Sequence, residues 1–334
     1  MFNVRAWGSA ALAAAFLFAS PTGGRAETGA VKIGLQYGLV YLPIVVAAEE
    51  KLFEKNAKAL GLPGLDVALS RISGSTGMND ALLSGSIEAG ALGSAGALIA
   101  WDKTRGKQQI KSIAGLSVVT YTLFTNRQNV SALKDFTPND KIAVPAFNSP
   151  QAILLRVAAE RDLGGQDKAN ALMTALPHPD ATAALLAGEA IGGYFATPPF
   201  SQIIERDPRM RKVLVSGSLF GGQEATAATL AATQQFVDAN PKVAEALLRG
   251  LADACALIRA DPKKAAEIYL KSEAVQLSAA DVEKITTDGS IVYQIEPQGM
   301  MTYAKYMYQQ GLLKKEPQKW QDLFFPMIGD RSGS

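Results

Sequence analysis

From residue 31 onward, short apolar runs alternate with amphipathic stretches, and glycines punctuate them. "VKIGLQYG" predicts a strand over 31–36. "YLPIVVAAEEKLFEKNAKALG" has apolar residues at helical spacing and stops at Gly61. "LDVALSRIS" reads as a second strand, and "GST" opens a helix that "MNDALLSG" carries to Gly85. "IEAGALGSAG" is a third strand with its exit loop, "LIAWDKTRGK" a helix, and "IKSIAGLSVVTYTLFTN" one or two strands. Strand and helix in alternation predict a parallel sheet with helices on its faces.

The pattern restarts around 117–127. "KIAVPAFNSPQAILLRVAAERDLGG" predicts strand, loop and helix, stopped by Gly164 and Gly165. "ALMTALPHPDATAALLAGEAIGGYFATPPFSQIIERD" adds strand, helix, strand and helix, and "MRKVLVSG" a further strand. After "GGQEATAATLAATQQFVDANP" the periodicity predicts an all-helical tail, including a Met and Tyr stripe at 300–307 that reads as packing surface. The two halves share wording. Setting Ala81 on Ala184 matches Leu82 with Leu185, Leu83 with Leu186, Gly85 with Gly188 and Gly90 with Gly193. "KIGLQYG" at 32–38 likewise matches "KIAVPAF" at 141–147. Two similar α/β units are therefore expected, with their polar strand-exit loops at the carboxyl edge of each sheet, where ligands of open α/β sheets bind.

A chain of 334 residues, 48% hydrophobic and 19% charged, can build two packed units. Residues 1–26 read as a cleaved export signal: Arg5, an apolar run at 10–19, and small residues at Gly24 and Ala26. That predicts a periplasmic protein. Removing Arg5 and Arg25 leaves 31 basic against 31 acidic residues, a balance that argues against nucleic acid as a partner. One cysteine, Cys255, permits no internal disulfide, and its helical setting is that of a core residue.

The chemistry of catalysis is sparse. His178 is the only histidine, so neither a zinc site nor a Ser–His–Asp arrangement assembles from recognisable spacing. Phosphate-binding glycine motifs are absent too. No cofactor and no metal are expected. The loops instead carry neutral hydrogen-bonding and aromatic side chains: Gln36, Tyr37 and Tyr41; Ser75 and Thr76 at a helix start; Ser94 after a buried strand; Phe147, Asn148 and Ser149 before the next helix; Thr197 in "ATPPF"; and Glu224 in the return segment. These cleft loops carry no Lys or Arg, so an anion would be held by helix N-termini and hydroxyls.

"YLPIVVAAEEKLFEKNA", "SGSTGMNDALLSGSIEAGALGSAGAL", "LPHPDATAALLAGEAIGGYFATPPF" and "FVDANPKVAEALLRGLADA", in this order and spacing, resemble the nitrate/sulfonate/taurine group of periplasmic solute-binding proteins of ABC importers, the NMT1/THI5-like family. The resemblance spans about residues 31–330. It implies a type II periplasmic-binding fold, with two α/β lobes joined by two crossing strands around a ligand cleft. The lobes would be 27–118 plus 225–334, and 119–224. It also implies a monomer that delivers a small organic solute to a permease and its ATPase in the inner membrane. Solute contacts carried over by position are Tyr37 to Pro43, Gly74 to Thr76, Gly93 and Ser94, Phe147 to Ser149, and Thr197 to Phe200. Where the family often has Trp-Glu-Pro-Phe, this chain has Thr197-Pro198-Pro199-Phe200, which changes the pocket floor. The alternative, an enzyme on the same fold of the desulfinase or thiamine-precursor synthase type, would need a cleft Cys or His.

Overall fold

A computed structural model describes residues 26–188 and 190–334. The export signal expected at 1–26 lies outside the described residues except for Ala26. Among the described residues, eleven strands form two sheets. The first holds β1 (Ala30–Leu35), β2 (Asp66–Arg71), β3 (Ala89–Gly93), β4 (Ile110–Val119), β10 (Thr226–Thr233) and β11 (Ile291–Tyr293), in the order β11-β4-β10-β3-β1-β2. The second holds β5 (Thr122–Thr125), β6 (Ile142–Val144), β7 (Met173–Ala175), β8 (Gly193–Ala196) and β9 (Arg211–Val215), in the order β7-β6-β8-β5-β9. The chain leaves the first sheet between Val119 and Thr122 and returns between Val215 and Thr226. Strand order shows the duplication: β2-β1-β3-β10-β4 in one sheet corresponds to β7-β6-β8-β5-β9 in the other.

The repeated phrase folds as one unit used twice. Helix Gly74–Ser84 ends at Gly85 (φ 71°), and helix His178–Ala187 ends at Gly188 (φ 84°). Each left-handed glycine sends its N–H back to carbonyls of the last turn, at 81 and 82 or at 184 and 185. The chain then enters β3 or β8, both fully buried and parallel to β1 or β6. Strands covered on both faces are apolar throughout, as parallel sheets require.

Three expectations are corrected. The sheets are mixed, because β10 runs antiparallel to both β3 and β4, and β5 antiparallel to β8 and β9. A strand reached by crossing from the opposite lobe enters its sheet from the cleft end, so it runs against its neighbours. The tail is not all helical: residues 291–293 form an edge strand, and the segment before the tail, "TAATLAAT", to which the sequence reading gave no element, is β10, inside the sheet. Alanine favours helices in isolation, but small side chains let helices close on both faces of a central strand, and that burial wins. Finally, 41–61 is two helices, Leu42–Glu49 and Leu52–Ala59, broken at left-handed Lys51 (φ 55°). The break delivers Phe53 into the core. Among the described residues, no helix is long and apolar enough to cross a membrane.

Candidate functional site

The strand-exit loops of both lobes meet at one cavity. From the first lobe, β1 ends at Leu35 and the chain turns through Leu39–Tyr41 into helix Leu42–Glu49. Leu39, Leu42 and Ile44 are fully buried, each contributing about 2 kcal/mol of apolar burial. That anchoring fixes Gln36 and Tyr41 against the cavity. Gln36 Oε1 accepts the N–H of Gly74 at 3.1 Å, so it also holds the start of the next helix. Ser75 lies in that helix's first turn and lines the cavity. Gly93 caps helix Ser94–Thr104 from the end of β3.

The second lobe answers with the same geometry. Ser149 caps helix Pro150–Leu163, its Oγ accepting the Ala152 N–H at 3.2 Å, and Gln151 follows in the first turn. His178 is the first residue of helix His178–Ala187. Ser149, Gln151, His178 and Thr197 all line the cavity. Tyr121, at the first crossing, lines it as well. Four helix N-termini, two from each lobe, therefore converge on one space. Three of the four helices have no acid in their first turn. Among the described residues no charged side chain lines the cavity, so its electrostatics come from N-terminal dipoles and free N–H groups. The fully buried Ser94 Oγ and the Thr197 Oγ1 have no hydrogen-bond partner among the described residues. Unsatisfied buried hydroxyls are uncommon and mark where a partner is missing.

The lobes are closed. The cavity measures about 20 Å³, enough for a single water-sized group. Leu39 N–H donates across the cleft to Pro198 O at 3.2 Å. A Cβ on Gly93 would sit 2.7 Å from Pro150 Cδ, so a side chain there would hold the lobes apart. A wider chamber of about 550 Å³ lies at the cleft mouth, lined by Tyr37, Arg71, Pro177, Pro179 and Phe200 among others. Here the sequence reading needs correction: the cavity is free of cations, but Arg71 stands at its mouth, 5.2 Å from the centre of the Tyr37 ring. Arg71 is paired at 2.9 Å with the buried Glu273, which also accepts the Gly38 N–H and the Tyr269 hydroxyl at 3.0 Å. Arg71 comes from the end of β2, a strand that offered no loop signal.

The expected contact residues divide. Tyr41, Ser75, Ser149 and Thr197 line the cavity; Ser94 lies beside Gly93 with its hydroxyl unpartnered; Asn148 is half-buried, with a buried, unpartnered Oδ1. Tyr37 belongs to the mouth chamber. Thr76 is exposed, one helical step past Ser75, and Phe147 is 55% exposed, so it builds no wall. Glu224 accepts the Ser216 hydroxyl at 2.7 Å, and Ser216 Oγ accepts the Tyr121 N–H at 2.9 Å, so this carboxylate braces the crossings. Burial pushes its pKa up. Gln151 and Tyr121 were missed; only the Ser-Pro start of the Gln151 helix gave a local cue.

His178 and Cys255 differ in setting. Cys255 is buried in helix Pro241–Ala260, and burial pushes its thiol up to about 12. His178 lines the cavity at 5% exposure; its Nδ1 is hydrogen-bonded to the Tyr194 hydroxyl and its ring stacks on Phe200 at 5.4 Å, 7° from parallel. Burial pushes its pKa down to about 4, which leaves it neutral at pH 7.

The family model described as NMT1-like family matches residues 24–270. No curated protein matches the sequence. Among solved structures, the alkanesulfonate-binding protein SsuA from Xanthomonas axonopodis pv. citri bound to MOPS is 20% identical with a TM-score of 0.67, covering 87% of this chain and 96% of that one. The periplasmic nitrate-binding protein NrtA from Synechocystis PCC 6803 is 17% identical with a TM-score of 0.68, covering 89% and 84%. The periplasmic aliphatic sulphonate-binding protein SsuA from Escherichia coli is 19% identical with a TM-score of 0.63, covering 92% and 95%. These likenesses establish the periplasmic-binding-protein fold.

Proposed function

The chain belongs to the NMT1-like family, and from that premise we propose that it is the solute-binding component of an ABC importer. It captures a small organic anion, of the organosulfonate or taurine kind or a related nitrogenous or aromatic compound, by closure of its lobes. The observation that carries the reading is the convergence of four helix N-termini on a cavity without charged walls, with the Ser94 and Thr197 hydroxyls unpartnered. Such a space offers donors and positive partial charge, which suits an oxyanion. The sulfonate- and nitrate-binding neighbours support the same class of solute. We assign solute contact to Tyr41, Ser75, Ser94, Asn148, Ser149 and Thr197, joined by Gln36, Gln151 and His178. The lobes are 27–118 with 225–334, and 119–224. The protein works in the periplasm with a permease and its ATPase, binding its solute without chemical conversion.

A thermal-shift screen of the mature chain against ethanesulfonate, taurine, nitrate, bicarbonate, pyrimidines and aromatic acids tests this. A native solute raises the melting temperature as its concentration exceeds Kd. Ser75→Ala should reduce that shift without lowering the melting point of the free protein. If none of the panel shifts melting, the solute-binding reading fails.

A further inference from the structure

We propose that the anion is captured together with one proton, held on the imidazole of His178 while the cleft is closed. This deepens the solute-binding reading and rests on it. His178 is placed for the role by contacts within its own lobe. One ring face stacks on Phe200, and Nδ1 is engaged by the Tyr194 hydroxyl, so Nε2 is the ring nitrogen left without a protein partner among the described residues. The ring lines the cavity itself.

The proton is conditional on the anion. With the cleft closed and no solute, burial opposes imidazolium, and so does the ring's position at the positive end of its own helix. An oxyanion in the same space reverses that balance, because it becomes the counter-charge that no side chain of the cavity supplies. The other groups facing His178 leave the role to it. Tyr194, Tyr41 and Tyr121 are all pushed up by burial and stay protonated and neutral. Asp180, on the same helix, is exposed, and beyond Pro177 and Pro179 the mouth chamber holds Arg71 and Glu273 paired with one another. The step balances with the neutral ring in its Nδ1–H tautomer, donating to the Tyr194 oxygen: Nε2 takes one proton from solvent on binding and returns it when the solute leaves.

His178 is the only histidine in the chain, so its ring resonances report the step without assignment ambiguity. The experiment follows their pH titration by NMR in the intact mature protein, with and without saturating ethanesulfonate. Calorimetry at pH 6.5 in two buffers of different ionisation enthalpy counts protons in parallel. The expected result is an imidazole pKa raised from about 4 to roughly 6.5 or higher in the complex, net uptake of about half a proton or more, and affinity gaining up to roughly ten-fold per pH unit lowered between these values. In His178→Gln, which keeps a neutral donor, the affinity for ethanesulfonate should fall at low pH and the remaining binding should show no proton uptake and a flat pH profile. Binding with proton release, or with no proton exchange, overturns the proposal while the solute-binding reading stands. If ethanesulfonate and the rest of the solute panel fail to bind, both fall.

Discussion

The units at 81–97 and 184–200 share a helix, a left-handed glycine and a buried strand, and they part after the strand. In the first, Gly93 passes straight into the eleven-residue helix Ser94–Thr104. In the second, Thr197 to Pro199 intervene before the short helix Phe200–Glu205, and Phe200 turns back to cover His178. The segment "GSAG", which reads as a small open loop, is thus a helix start that brings its dipole to the cavity, with the Ser94 hydroxyl buried and unpartnered next to the lining Gly93. "TPPF" brings a hydroxyl and an aromatic cover. A duplicated scaffold supplies two facing edges, and the residues after each strand make one edge a donor surface and the other a wall around a titratable ring.

Four substitutions or conditions sharpen that contrast. The largest effect belongs to Gly93, whose counterpart is Ala196. Gly93→Leu drives a side chain into Pro150 and should cost roughly a thousand-fold in solute affinity, about 4 kcal/mol, by holding the lobes open. Small-angle scattering with and without solute checks it; a variant that still compacts on binding contradicts it. Next comes the aromatic cover, which exists only in the second unit. In the closed, solute-free state His178 titrates near 4 against 6.5 when unfolded, so the unfolded chain binds the extra proton between these values. Stability therefore falls as pH drops through that window, by up to about 3 kcal/mol. Urea unfolding at pH 7 and pH 4.5 should show His178→Gln losing less than the parent; equal losses would remove His178 from the account.

The paired hydroxyls come third. Ser94→Ala and Thr197→Val each remove a buried group without a protein partner, so the free protein should hold its stability or gain slightly. Solute affinity should drop about ten-fold for each. Calorimetry reads the second effect and thermal melts the first; lower melting with intact affinity would make these hydroxyls structural. The smallest effect is Ala196→Gly, about 1 kcal/mol of stability lost from the second sheet with affinity nearly unchanged. A loss of affinity comparable to that of the Gly93 variant would mean that the two positions share a closure role.

Much of this was legible before folding. Gly85 and Gly188 announce left-handed stops, and "AGALG" and "GYFA" announce strands buried on both faces, because both signals live within a few residues of chain. Ser75, Ser149 and Thr197 were legible for the same reason: polar residues at strand exits and helix starts. Their neighbours Thr76 and Phe147 were misplaced because one residue of helical or extended backbone turns a side chain away, and local pattern does not fix that phase against a distant partner. Arg71, Gln151 and Tyr121 were invisible as a group. Nothing local links the end of β2, the start of a helix in the other lobe and a crossing strand.

The sequence by itself determined two α/β units and the neutral chemistry of their edges, since periodicity, glycine stops and helix caps act over one or two turns of chain. Tertiary structure alone decided that β10 is a central antiparallel strand despite its helix-favouring alanines, that four helix starts share one small cavity, and that His178 sits neutral within it. Those outcomes depend on burial between segments far apart in sequence, and burial outweighs the few tenths of a kcal/mol per residue of local preference.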